Sequence, residues 1–133
     1  MRGLLLIALA ADLSGCAGHA VKLKQDHSYV VEWIGERPLM DDANLTVTLG
    51  ADGRAYGNGG CNHWFAPYTV NGDTLSFGKI GSTRKLCAEA LMEQEQRFFQ
   101  ALQSVQRWDI SPTEQTRFWP AEGKPIRLWL EEG

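Results

Sequence analysis

The chain lacks most of the features that mark enzymes and nucleic-acid binders. Its longest basic cluster is Thr83-Arg84-Lys85, and its formal net charge is −3. Surfaces that track phosphates need a basic face, so nucleic acid is excluded as a partner. There is no G-x-S-x-G elbow, no glycine-rich phosphate loop opening a helix, and no convincing carboxylate pair. Asp41-Asp42 follow Pro38 in a loop and read as a solvated turn. Paired Cys-x₂-Cys or His-x₃-His units are missing as well, so no zinc pattern is present. No repeat, low-complexity stretch or internal linker divides the 133 residues, which fits one domain. The expectation is a non-enzymatic protein with no cofactor and no metal.

Long apolar runs are also scarce. The one candidate is the start, MRGLLLIALAADLSGCAG, where Arg2 precedes an apolar run from Leu4 to Ala11. That run is too short to span a bilayer but suits the h-region of a signal peptide. It ends in Leu13-Ser14-Gly15-Cys16, which resembles the lipobox of bacterial lipoproteins, although Asp12 sets a charge beside the apolar segment. The resemblance implies cleavage before Cys16, a diacylglycerol on its thiol, and a membrane partner reached through that lipid. Ala17 follows the cysteine, not the Asp that favours inner-membrane retention, so the implied destination is the outer membrane, facing the periplasm. Multiple lipid chains anchor stably without a transmembrane helix. The expected organisation is a signal peptide over 1–15, a lipidated cysteine and polar tether over 16–27, and a domain over 28–133.

Cysteine is rare too: Cys16, Cys61 and Cys87 are the complete set. With Cys16 lipidated, an even pair remains in an oxidising compartment, which favours a Cys61–Cys87 disulfide. Two other readings stay open. Cys61 and His63 share a strand face and would form a nucleophile–base pair, but no carboxylate is placed to orient the imidazole. Cys61, His63 and Cys87 would give a metal- or redox-responsive set of three ligands, with unusual spacing. Gly57, Gly59 and Gly60 suit a bulge or positive φ beside Cys61, and Asn62 suits an amide turned onto the local backbone.

What the chain does have is short strand patterns. SYVVEWI is β-branched and aromatic. NLTVTLGADGRAYGNG alternates about Asp52-Gly53, and WFAPYTVNGDTLSFGKI turns at Asn71-Gly72, with Pro67 expected at an edge or bulge. The period then changes: AEALMEQEQRFFQALQSV is free of Gly and Pro, and Leu91, Phe98, Leu102 and Val105 recur on one helical face. QRWDIS, QTRFWP and PIRLWLEE close the chain as strands. The sum is α+β: a small antiparallel sheet or partial barrel, with one amphipathic helix packed on it over an open face.

These residues carry a family resemblance. Gly60-Cys61-Asn62, the Tyr68 hairpin, Thr83 ahead of Cys87, and the acidic helix with Phe98 and Leu102 resemble the META domain of HslJ-like heat-shock lipoproteins. Trp33 and DGRAYGNGG also fit, and the resemblance covers about residues 28–131. It implies a small envelope or secreted module, linked in different members to heat-shock response, antibiotic resistance or virulence, with no catalytic site. The function expected is a binding or stress and envelope-maintenance role. His63, Trp64, Phe65 and Tyr68 form the candidate surface, for an unknown protein, glycan or small apolar ligand. The alternative is a metal- or redox-responsive envelope protein using Cys61, His63 and Cys87.

Overall fold

The computed structural model describes residues 22–131. The expected signal peptide and Cys16 lie outside the described residues. Among the described residues, ten strands and one helix follow in order: β1 (Ser28–Ile34), β2 (Arg37–Pro38), β3 (Thr46–Leu49), β4 (Arg54–Asn58), β5 (His63–Asn71), β6 (Thr74–Phe77), β7 (Gly81–Ser82), α1 (Glu89–Gln103), β8 (Val105–Ile110), β9 (Thr116–Pro120) and β10 (Ile126–Leu130). Both Gly-containing turns fall where the sequence places them, at Gly53 and Gly72, each with positive φ.

Every pairing in the sheet is antiparallel, and the order β10-β9-β8-β6-β5-β4-β3-β1 is closed by pairing of β1 with β10. Eight strands therefore form a closed barrel, with β2 on β1 and β7 on β5 as two-residue additions. This overturns the α+β reading of a small sheet or partial barrel with an open face. The architecture is mostly β, and Tyr29 to Ile34 lies against Ile126 to Leu130 along nearly the full length of both strands. Alternation in a strand states which side chains point inward. It is silent on whether the first and last strands meet, and here that meeting removes the open edge.

The barrel interior is packed with side chains. Tyr29, Val31, Leu45, Val47, Leu49, Trp64, Leu75, Phe77, Phe118, Ile126 and Leu128 fill it, as expected for an eight-stranded barrel whose interior just accommodates side chains. Trp64 is fully buried, edge-on to Phe77 and Phe98 with ring centroids 6.4 and 6.0 Å away. Its indole Nε1 donates to the Thr46 carbonyl at 3.1 Å, so the polar handle of a buried Trp is satisfied.

The helix covers an end of the barrel. It meets the chain where β4 and β6 finish and where β3, β5 and β8 begin, and in an antiparallel barrel these points share one mouth. Phe98 and Leu102 enter the core there. At the other mouth the Tyr68 hydroxyl donates to the Gly50 carbonyl at 2.6 Å and accepts from Gln25 Nε2 at 2.7 Å. Lys24 N donates to the Tyr29 hydroxyl and Asp26 N to the Leu49 carbonyl. Residues 24–26, expected in the tether, thus bond to the barrel. Pro67 interrupts no ladder: it lies where the neighbour of β5 changes from β7 to β6.

On the outside of β8 and β9, Asp109 accepts two bonds from Arg117, at 2.7 and 2.8 Å, and one from Trp119 Nε1 at 2.8 Å. Burial alone would raise its pKa. The hydrogen bonds from Arg117 and Trp119, with the charges of Arg117 and Arg107, more than offset that and hold the carboxyl below its ordinary range. A depressed carboxylate contributes stability above its unfolded pKa of about 4, and that stability is lost as pH falls through the lower folded value. Asp109→Asn is therefore expected to be less stable than the native chain at neutral pH. Urea titrations between neutral and strongly acidic pH should show the gap closing below pH 4; a constant gap would refute the linkage.

Candidate functional site

The glycine-rich stretch between β4 and β5 is built around a carboxylate that comes from the helix. Glu95 is only 3% exposed. Its Oε2 accepts from the backbone N–H groups of Cys61 at 3.1 Å and Asn62 at 2.6 Å, and its Oε1 accepts from Asn62 Nδ2 at 2.9 Å. A buried carboxylate needs such partners. Gly59 makes the approach possible, because a Cβ there would stand 2.7 Å from Glu95 Oε2 and 3.1 Å from the Phe99 ring. Gly60 supplies the turn, at φ +107°.

Asn62 extends the junction. Its amide does not fold onto the local backbone as the sequence suggested. Instead Oδ1 accepts from Lys85 N at 2.6 Å and from the Thr83 hydroxyl at 3.0 Å. Thr83 also donates from its backbone N to the His63 carbonyl, at 3.0 Å. One Asn side chain thereby joins the start of β5, the segment after β7, and the helix.

The disulfide clamps the same three parts. Cys61 and Cys87 are bonded, with Cα atoms 6.0 Å apart and a sequence separation of 26. Cys61 is buried and Cys87, two residues before α1, is half-buried. The Cys61 sulfur lies 3.4 Å from the Lys85 carbonyl, a packing contact, since a disulfide sulfur has no proton to donate.

The expected surface of His63, Trp64, Phe65 and Tyr68 is not assembled. Inside–outside alternation along β5 sends Trp64 and Tyr68 inward, at 0% and 6% exposure, and leaves His63 and Phe65 outside. Phe65 pairs across the ladder with exposed Tyr56 and lies against Gly81. The strand is two-sided, so four neighbouring residues cannot share one face. The set of Cys61, His63 and Cys87 is not assembled as ligands either: both sulfurs are joined and His63 is exposed. Among the described residues no three His, Cys, Asp or Glu side chains converge as a ligand group.

Beside the junction lies an open cleft of about 550 Å³ between α1 and the segment from Ile80 to Leu86. Gln96, Gln100 and Gln103 line one wall with Met92 and Phe99; Arg84, Lys85 and Leu86 line the other. Leu86 is 89% exposed at its rim. The cleft offers amides, two cations and apolar patches, which is the chemistry of recognition. Glu95 borders it but is committed to the junction.

Sequence reasoning missed Glu95 and Gln94. Its signal was present: with Leu91, Phe98 and Leu102, Glu95 completes a stripe at helical spacing, so an acid stood in the apolar row. Gln94 is fully buried and its Oε1 accepts from Met40 N at 2.8 Å, tying the loop after β2 to the helix.

A small closed antiparallel barrel, capped by one helix and stapled to it by a disulfide and a buried carboxylate, defines the class. The family model of the META domain matches residues 21–132, and the chain belongs to the META domain family. No curated protein matches the chain. Among solved structures, the NMR structure of a protein from Burkholderia xenovorans is 24% identical, with a TM-score of 0.69 over 82% of this chain and 84% of that one. A second NMR structure is 20% identical, with a TM-score of 0.62 over 80% of this chain and 90% of that one. These likenesses concern the fold alone.

Two outcomes follow from the junction. Glu95→Gln must turn an amide N–H₂ toward a donor, because Asn62 Oδ1 is already occupied and its amide cannot flip without cost. A loss of about 1–3 kcal/mol in denaturant unfolding is expected; a neutral result would mean the carboxylate is dispensable. Replacing both Cys61 and Cys87 by Ala should cost about 3–4 kcal/mol by loop-closure entropy. Unfolding midpoints would measure it, and a change near zero would assign the clamp to Asn62 and Glu95 alone.

Proposed function

We propose that the chain is a lipid-anchored cell-envelope protein that binds rather than catalyses, with a stress or envelope-maintenance role. The observation that carries this reading is the Cys61–Cys87 disulfide, since structural disulfides persist in oxidising compartments. It accords with the leader and lipobox-like Leu13-Ser14-Gly15-Cys16, and with an outer-membrane, periplasm-facing location. Membership of the META domain family supports an envelope-associated protein in the coarser sense.

A binding role is supported by the cleft between α1 and Ile80–Leu86. Its walls are fixed by the junction, so a ligand would meet a preorganised site, and preorganisation favours affinity. Its lining suits a protein segment, a glycan or a small partly apolar molecule. A non-enzymatic role is supported by the commitment of Glu95: both of its oxygens already accept protein donors, leaving it poorly placed to act as an acid or base.

Intact-mass measurement of the native protein extracted from membranes tests the reading, with thiol alkylation before and after reduction. The expected mass is that of a chain beginning at Cys16 with lipid attached, alkylated only after reduction. An uncleaved chain without lipid would remove the anchor. Alkylation of Cys61 and Cys87 without reduction would remove the oxidising compartment.

A further inference from the structure

Strand β7 is held on one side and open on the other. Gly81 and Ser82 pair with Phe65 and Trp64, and Thr83 N donates to the His63 carbonyl at 3.0 Å. The ladder continues past Thr83, because the Asn62 side-chain amide stands in for a further strand residue. Its Oδ1 accepts from Lys85 N at 2.6 Å, and its Nδ2 lies 3.4 Å from the Lys85 carbonyl. In an antiparallel pair, residues that bond the neighbour alternate with residues that face away. Gly81, Thr83 and Lys85 face the β5 side, so the N–H and C=O groups of Ser82 and Arg84 point to the opposite edge. Among the described residues, no turn, loop or side-chain hydrogen bond takes up these four groups.

That edge borders the cleft whose far wall is α1. Ser82 and Arg84 are two residues apart, about 7 Å. An extended chain presents its own like-directed peptide groups at the same repeat, each with a donor beside an acceptor, and a free backbone edge is completed by another backbone. Across the cleft, Gln103 is committed to the Phe77 and Gly78 carbonyls. Gln96 and Gln100, one helical turn apart, line the same wall. A side-chain amide both donates and accepts, so these two suit the second edge of a strand laid in the cleft. Ile80, Met92 and Phe99 add apolar contact.

Charge selects among extended chains. Residues 78–88 carry Lys79, Arg84 and Lys85 and no acid, and among the described residues none of the three forms an ion pair. Glu95 borders the cleft, but the junction occupies both of its oxygens. Cations on a free edge guard it against indiscriminate pairing. Here they leave net attraction for a chain that brings carboxylates.

We propose that the free edge of β7 captures an acidic peptide segment of another protein by strand addition. The peptide lies extended between Ser82–Arg84 and α1, and its backbone pairs with the four open groups. Its apolar side chains rest on Met92 and Phe99, and its carboxylates meet Arg84 and Lys85. This deepens, and rests on, the reading of the cleft as a binding site.

The test uses the oxidised, lipidated protein in detergent, isotope-labelled for NMR. The probes are the blocked hexapeptide Glu-Val-Glu-Val-Glu-Val, its Lys-Val counterpart, and chitotetraose. Two further forms of the acidic peptide carry N-methyl groups, on the Val amides in one and on the Glu amides in the other. The acidic peptide should bind saturably, shifting the Ser82 and Arg84 N–H signals, and the basic peptide should not. One methylated form should bind at least about tenfold more weakly than the other, since only one set of amides faces β7. Ser82→Pro removes an outward N–H, which an edge strand tolerates, and should also weaken binding about tenfold. The near-UV signal of buried Trp64 checks its fold. Equal loss in both methylated forms, or equal binding of the basic peptide, overturns the proposal. Shifts at Gln96, Gln100 and Phe99 with Ser82 and Arg84 unmoved, from peptide or chitotetraose, overturn strand addition and leave the cleft as a site. If no probe moves any of these signals, both readings fall.

Discussion

Much of this molecule depends on one buried carboxylate. Glu95 accepts from two consecutive backbone N–H groups and one side-chain amide, and in doing so fixes the glycine-rich turn to the helix. Three consequences run outward from that point. The turn places Cys61 opposite Cys87. Asn62, held by Glu95 on one side, is free on its other side to grip Thr83 and Lys85. The helix, drawn down on the mouth of the barrel, sends Phe98 against Trp64. A charge taken out of water is unfavourable unless well partnered, and here the partners are the very groups that a sharp turn would otherwise leave without hydrogen bonds.

The disulfide and the hydrogen bonds act on different states of the chain. The covalent link narrows the unfolded ensemble, whereas the Glu95–Asn62 bonds specify one native arrangement of turn, segment and helix. Either alone leaves a freedom that the other removes. The close approaches account for the small residues there: Gly59 leaves room for the Glu95 carboxylate and Phe99, and Gly57 for the Thr46 backbone of the neighbouring strand.

How much of this was legible beforehand differs by element. Ser28–Ile34, the two Gly-turn hairpins, the helix and the last three strands could be read from alternation, turn chemistry and the helical repeat, since these are local signals. The pairing of Cys61 with Cys87 was favoured by cysteine number and the expected compartment, with the metal and reactive-thiol readings left open until the bond itself was seen. Closure of the barrel was not legible, because no local pattern reports that Val31 lies beside Leu128. The candidate surface on β5 failed for a simpler reason: His63, Trp64, Phe65 and Tyr68 are neighbours in sequence, but a pleated strand divides them between core and solvent. Glu95 was visible as an acid within an apolar stripe, yet its partners sit over thirty positions away in the chain.

Barrel closure also has a temporal side. The strand made first is completed only by the strand made last, since β1 takes β10 as its neighbour. A chain emerging amino end first therefore cannot finish this sheet until β10 is free, and contacts of such sequence separation form slowly. Until then β1 offers one unpaired edge, exposed to any other extended chain nearby. A domain of this design stays open along one seam for as long as β10 is withheld, and that seam closes when β10 arrives.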